Sequence, residues 1–264
     1  MRRRITTIVF DLDDTLVMEM ESEERAFMTA CAIAAERYAV DPHDLFRAVR
    51  RRAKELWHAS PWYPYCQRIG FASWEGLWST FSGSSPEMRE LRAWAPTYHR
   101  EAWRRALEDV GVADLDLAEC LSETYKVDRR SRHVVFEDAI PALEDLRKDF
   151  RLGLLTNGAE DVQQTKLDGS GLAGYFDAIL ITGAIGIGKP YPEPFRAILG
   201  RLKSGESESA MVGDSLSSDI AGARRIGMFA VRIRRRDSGD EDDRADVEPD
   251  ATIRTLAELR KVLP

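Results

Sequence analysis

The sequence predicts an α/β protein, a parallel-sheet core with helices on both faces, into which an all-helical block is inserted. Three observations predict it. From about Val134 onward, short apolar runs alternate with helical patterns, the arrangement of strand–helix–strand units. A further apolar run, Ile5–Phe10, stands alone near the N-terminus and ends abruptly in acidic residues. Between them, from about Leu16 to His133, apolar residues recur at helical spacing.

The elements follow in order. Ile5–Phe10 reads as a first strand leading into Asp11-Leu12-Asp13-Asp14. In the helical block, Phe27, Cys31, Ala34 and Tyr38 fall on one helix face, as do Trp74, Trp78 and Phe81. Breakers divide it near Asp41-Pro42, Ser60-Pro61, Ser82-Gly83 and Gly111, and Trp62-Tyr63-Pro64-Tyr65 reads as a loop that could line a substrate cavity. All six tryptophans lie here, and the plainest reading makes them the block's own core. The third block predicts a helix over Asp138–Lys148 and a strand over Arg151–Leu155. A helix near Asp161–Leu167 and a strand over Ala178–Ile181 come next. A helix from Pro192 to about Leu202, a strand over Ser209–Val212, a helix over Ser217–Ile226 and a strand over Phe229–Ile233 complete the alternation. Thr255-x-x-Glu258 has the form of a capping box for a terminal helix. Arg234–Glu248, charged and poor in apolar residues, reads as a mobile surface loop. Residues 1–15 and 134–264 are thus expected to form the core domain, and 16–133 the inserted helical one.

Composition narrows the function. Across 264 residues, 44% are hydrophobic and 31% charged, a globular balance large enough to bury a core without staples. A net charge of −7 disfavours general nucleic-acid binding through phosphate contacts. The runs Arg2–Arg4, Arg50–Arg52 and Arg234–Arg236 have acidic neighbours and read first as solvated faces. Arg68 and Arg50–Arg52 could also grip a carboxylate or a second phosphate. Cys31, Cys66 and Cys120 are too scattered for a zinc site or a disulfide framework. With no apolar run of membrane-spanning length and no signal-peptide pattern, the expected location is cytoplasmic, without membrane contact.

Ligands of open α/β sheets bind beyond the carboxyl ends of the strands, so the residues there carry the functional argument. They are Asp11, Asp13 and Thr15 after the first strand, and Thr156, Asn157 and Gly158 after the second. Gly188-Lys189-Pro190 lies past the third, and Gly213-Asp214, followed by Asp219, past the fourth. Asp11 and Asp13, two apart on extended backbone, point the same way and would repel unless a cation sits near them. Mg²⁺ suits such oxygen ligands; Asp214 could supply a further carboxylate and Asp219 hold the arrangement in place. Lys189 and the donors of Thr156, Asn157 and Gly158 could neutralise phosphoryl oxygens. The expected chemistry has two steps. Asp11 attacks phosphorus to give an aspartyl-phosphate, and Asp13 protonates the leaving alcohol and then deprotonates the hydrolytic water. Asp14 reads as a turn or hinge residue, and Ser215, Ser217 and Ser218 as helix-capping residues. The four histidines, His43, His58, His99 and His133, all lie in the helical block, which argues against a histidine-based triad.

Asp11-Leu12-Asp13-Asp14-Thr15 resembles the first motif, D-x-D-x-T, of the haloacid dehalogenase-like superfamily. Leu155–Gly158 resembles its second motif, Lys189-Pro190 its third, and Gly213–Asp219 its fourth, G-D-x-x-x-x-D, in the family's order. The resemblance implies a Rossmann-like core, Asp11 as nucleophile and Asp13 as acid/base. It implies Mg²⁺ held by Asp11, the Asp13 backbone carbonyl and Asp214. Phosphate would be bound by Leu12, Thr156, Asn157, Gly158 and Lys189, with Thr15 and Asp219 supporting the site. The insertion is similar to the family's small helical cap; Lys54–Phe81 looks most like caps of the N-acylneuraminate-9-phosphatase group. The expected substrate is a small phosphorylated metabolite, and the expected state a monomer or homodimer. The alternatives are a sugar phosphomutase, a 2-haloacid dehalogenase (whose family members lack an acid at the position of Asp13) and a catalytically silent binding module.

Overall fold

The computed structural model describes residues 4–235 and 247–264. The expectations for Arg2 and Arg3, and for 236–246 of the charged stretch, lie outside the described residues. Two compact units divide the chain: residues 1–18, 134–157 and 170–264, and residues 19–133 with 158–169.

The first unit is built on six parallel strands in the order β3-β2-β1-β4-β5-β6. They are β1 (Thr7–Phe10), β2 (Arg151–Thr156), β3 (Ala178–Ile181), β4 (Ser209–Gly213), β5 (Phe229–Ile233) and β6 (Ala251–Ile253). β1 and β4 are buried along their whole length, which is why both read as continuous apolar runs. Val9 and Met211 pack with Phe195, Ile198 and Leu199 of a helix over Pro192–Leu202, while the alternate residues Ile8 and Phe10 are buried equally deeply. The register Leu154↔Phe10↔Val212 aligns the carboxyl ends of the three central strands, so the segments after β1, β2 and β4 emerge together. Where the chain leaves this unit and returns to it, the two segments pair. Met18 N–H donates to the Val134 carbonyl at 2.8 Å and Phe136 N–H to that of Leu16 at 3.0 Å. β6 is the strand that periodicity misses, since three residues are too few to show an alternation.

The second unit comprises α1 (Glu19–Arg37), α2 (Pro42–Ala59), α3 (Tyr63–Ile69), α4 (Ser73–Gly76), α5 (Pro86–Asp109) and α6 (Leu115–Ser131). It also takes in nearly all of α8 (Glu160–Ser170), which follows α7 (Ala139–Leu146) of the first unit. Asp41 starts α2 by accepting from His43 N–H at 2.7 Å, and Ser85 and Asp114 do the same for α5 and α6. Trp57, Trp78 and Trp103 are buried in this unit's core, and Trp62, Trp74 and Trp94 pack against it. Tyr63–Ile69 is helical, not a loop: Pro64 sits in the first turn, where its missing N–H has no helical partner to lose.

Charge is buried here as well as apolar surface. Burial alone would raise the Glu19 carboxyl, but Lys166 Nζ at 3.1 Å and the contacting Arg129 guanidinium outweigh it and hold the group down at about 2. Glu23 pairs with the half-exposed Arg50, at 3.4 Å, and burial pushes it up to about 8. Between 4.5 and about 8 the folded chain therefore keeps a proton that the unfolded chain releases, and stability is lost as pH rises through that window. Glu23→Gln is expected to match the parent at pH 4 and exceed it in urea melts at pH 9; equal midpoints at both pH values would contradict this.

Candidate active site

Asp11 directly follows β1, and its backbone N–H donates to the Val212 carbonyl of β4 at 2.9 Å. Its carboxylate is buried against Lys189 Nζ at 2.5 Å. The same ammonium donates to the Leu155 carbonyl at 2.8 Å and lies 2.7 Å from Asp219 Oδ1. Both ends of the Asn157 amide hold the lysine's backbone: Oδ1 accepts from Lys189 N–H at 2.8 Å and Nδ2 donates to its carbonyl at 3.1 Å. The Asn157 side chain thus positions Lys189.

Carboxylate oxygens of Asp11, Asp214 and Asp219 lie within 4.8 Å of one another. Burial pushes Asp11 up to about 6, opposed by Lys189 and reinforced by Asp219. Desolvation and the charges of Asp11 and Asp219 push Asp214 well above the ordinary carboxylate range. Burial would lower Lys189, but the two aspartates overcome it and keep the ammonium protonated. When all three are ionised, three carboxylates against one ammonium carry a net charge of −2, which one Mg²⁺ would offset, and all-oxygen donors suit that ion. Gly213 is required by the same packing, because a Cβ there would fall 2.3 Å from Asp219 Oδ2. Asp219 also accepts from Ser215 N–H at 3.2 Å, and the Ser215 hydroxyl caps the next turn by accepting from Ser218 N–H.

The remaining expected residues are placed as follows. Leu12 is buried, its carbonyl accepts from Leu16 N–H at 2.9 Å, and its backbone supports the Asp11 carboxylate. Asp13 is half-buried and bridges to Val17 across the left-handed turn at Asp14, whose φ is 50°. Thr15 and Thr156 are buried. Gly158 belongs with the helical unit, where its N–H donates to the Ile69 carbonyl at 3.0 Å; that donor is occupied within the fold.

Sequence reasoning missed Arg235, which sits at the edge of the stretch read as a surface loop. Its guanidinium donates to the Thr15 carbonyl at 2.7 Å and to Asp138 at 2.8 Å, and lies 4.0 Å from the Phe136 ring centre. It clamps the segment following Asp13 to the start of α7. Nothing in a run of three arginines marks one of them as buried. Arg235→Met should lower stability by about 2–3 kcal/mol, because the Thr15 carbonyl and Asp138 lose a charged donor; urea melts check it.

The profile of the haloacid dehalogenase-like hydrolases matches residues 5–227. The chain belongs to that family. As a haloacid dehalogenase-like hydrolase, it is 36% identical over 253 residues to a phosphoserine phosphatase of Thermus thermophilus, covering 96% of each chain. It is 25% identical over 230 residues to the human N-acylneuraminate-9-phosphatase, covering 86% of this chain and 82% of that one. Among solved structures, a 2-haloacid dehalogenase from Pseudomonas syringae pv. Tomato DC3000 superposes with a TM-score of 0.60. The two are 29% identical, with 98% of this hydrolase and 97% of that chain covered.

Proposed function

We propose that this hydrolase cleaves a small phosphorylated metabolite with Asp11 as nucleophile, and that Mg²⁺ is its cofactor. The observation that carries the reading is the cluster of buried Asp11 and Asp219 and half-buried Asp214 beside Lys189, with its excess of acidic groups. Asp11 and Asp214, with the Asp13 carbonyl, would hold the ion, which when bound supplies charge to offset repulsion between an anionic carboxylate and an anionic ester. Asp11 attacks phosphorus and the leaving oxygen takes a proton from Asp13; Asp13 then removes a proton from water as the aspartyl-phosphate hydrolyses. Lys189 offsets charge on the nucleophile, and Asp219 keeps the ammonium in place. Phosphatase relatives along nearly the full length favour ester hydrolysis at phosphorus.

The dehalogenase neighbour supports the shared scaffold, and Asp13 separates the two chemistries: attack at carbon with halide departure has no alcohol to protonate. Inorganic phosphate release from p-nitrophenyl phosphate and from a phosphometabolite panel, with Mg²⁺ and with EDTA, tests the reading. Metal-dependent release is expected. Its absence across the panel, or halide release from 2-chloropropionate instead, would overturn it.

A further inference from the structure

We propose that the helical unit carries a binding site of its own for a small organic anion with a planar aromatic body. A cavity of about 600 Å³ lies wholly among its residues, within the size range of small-molecule sites. Four rings line it: Tyr63 and Trp74 are half-buried and can meet a ring-bearing ligand, while Trp57 and Phe71 are buried. Its charged lining is of one sign only: Arg50, Arg51 and Lys54, with His58 alongside and no carboxylate among the lining residues.

The ion pairs divide these cations. Arg50 lies 3.4 Å from Glu23, which burial keeps protonated below about pH 8, and rests 5.1 Å from the Trp74 ring centre; Arg51 is held by Asp109 at 2.6 Å. Lys54, exposed at the cavity, has no ion-pair partner among the described residues. Lys54, with Arg50 beside the same cavity, calls for an anion, and the half-buried Tyr63 and Trp74 rings call for an aromatic body over a hydrated inorganic ion.

The test is calorimetric titration of the intact chain with 2-naphthoate, read in parallel by tryptophan emission. Saturable one-to-one binding with Kd below about 1 mM is expected for a ligand of this size. Lys54→Glu, at an exposed position, should weaken it about tenfold or more, and Lys54→Arg should restore it. The neutral 2-naphthamide should bind more weakly than the acid, and inorganic phosphate should not displace naphthoate. Four results would each overturn the proposal: no saturable binding, equal affinity in the Lys54→Glu chain, equal affinity for the amide, or competitive displacement by phosphate. None of these depends on whether the chain hydrolyses phosphate esters.

Discussion

Asp11→Asn is expected to abolish phosphate release while the chain stays folded. The carboxamide has nearly the same shape, and its oxygen can still accept from Lys189 Nζ, which lies 2.5 Å from Oδ1 in the parent. It is not a competent nucleophile at phosphorus, so the first step loses its attacking atom. Removing a catalytic nucleophile costs on the order of 10⁴- to 10⁶-fold in kcat in enzymes whose groups act as a unit, and a loss in that range is expected. The substitution also removes one of three crowded carboxylates, so the folded chain should lose no stability. Thermal melts at or above the parent's, with turnover at background, would assign Asp11 to chemistry. Turnover within tenfold of the parent would remove it from the nucleophile's role, and a collapsed melt would make its role structural.

The placement of Asp11, Asp13, Asp214 and Lys189 beyond the strand ends was legible in the sequence because a parallel sheet sends the residues after its strands to one edge. A short apolar run followed immediately by polar residues marks that edge without knowledge of the tertiary fold. The register of β1 with β2 and β4 then brings Asp11 beside Lys189 and within reach of Asp214. The fold class was legible for the same reason: buried strands read as unbroken apolar runs, and the long helices carry a repeating stripe. What escaped depends on contacts between distant segments. Asn157 stands where a phosphate donor was expected, yet its amide is directed to the Lys189 backbone, a pairing across 32 positions that no local pattern encodes. Gly158 was read from the second motif, but the cluster it joins includes Ile69. Arg235 looks like any surface arginine until Thr15, 220 positions away, is seen to need a donor. The buried group of Glu19, Glu75, Arg129 and Lys166 is equally invisible, since its members come from four helices.

Lys189→Met should be the most damaging single change to the first unit. The side chain is buried and its ammonium touches Asp11 and Asp219 while donating to the Leu155 carbonyl. Methionine fills similar volume, so the effect isolates charge from packing. Removing one partner of a buried ion pair typically costs about 3–5 kcal/mol, because the remaining charge is left without compensation. Here two aspartates lose the ammonium at once, and Asp214 stands in the same cluster, so the upper end of that range is expected. Turnover should fall by about 10²-fold or more, the usual consequence of deleting a group that offsets charge at the reacting centre. The same reasoning yields a result that a packing defect would not produce. Without the ammonium the three carboxylates hold a larger net negative charge, so a divalent cation should stabilise the variant more than it stabilises the parent. Thermal melts of both chains with Mg²⁺ and with EDTA measure this difference. An equal shift in the two chains would mean that the cation and Lys189 do not share these carboxylates, and the account of the site's charge balance would fail with it.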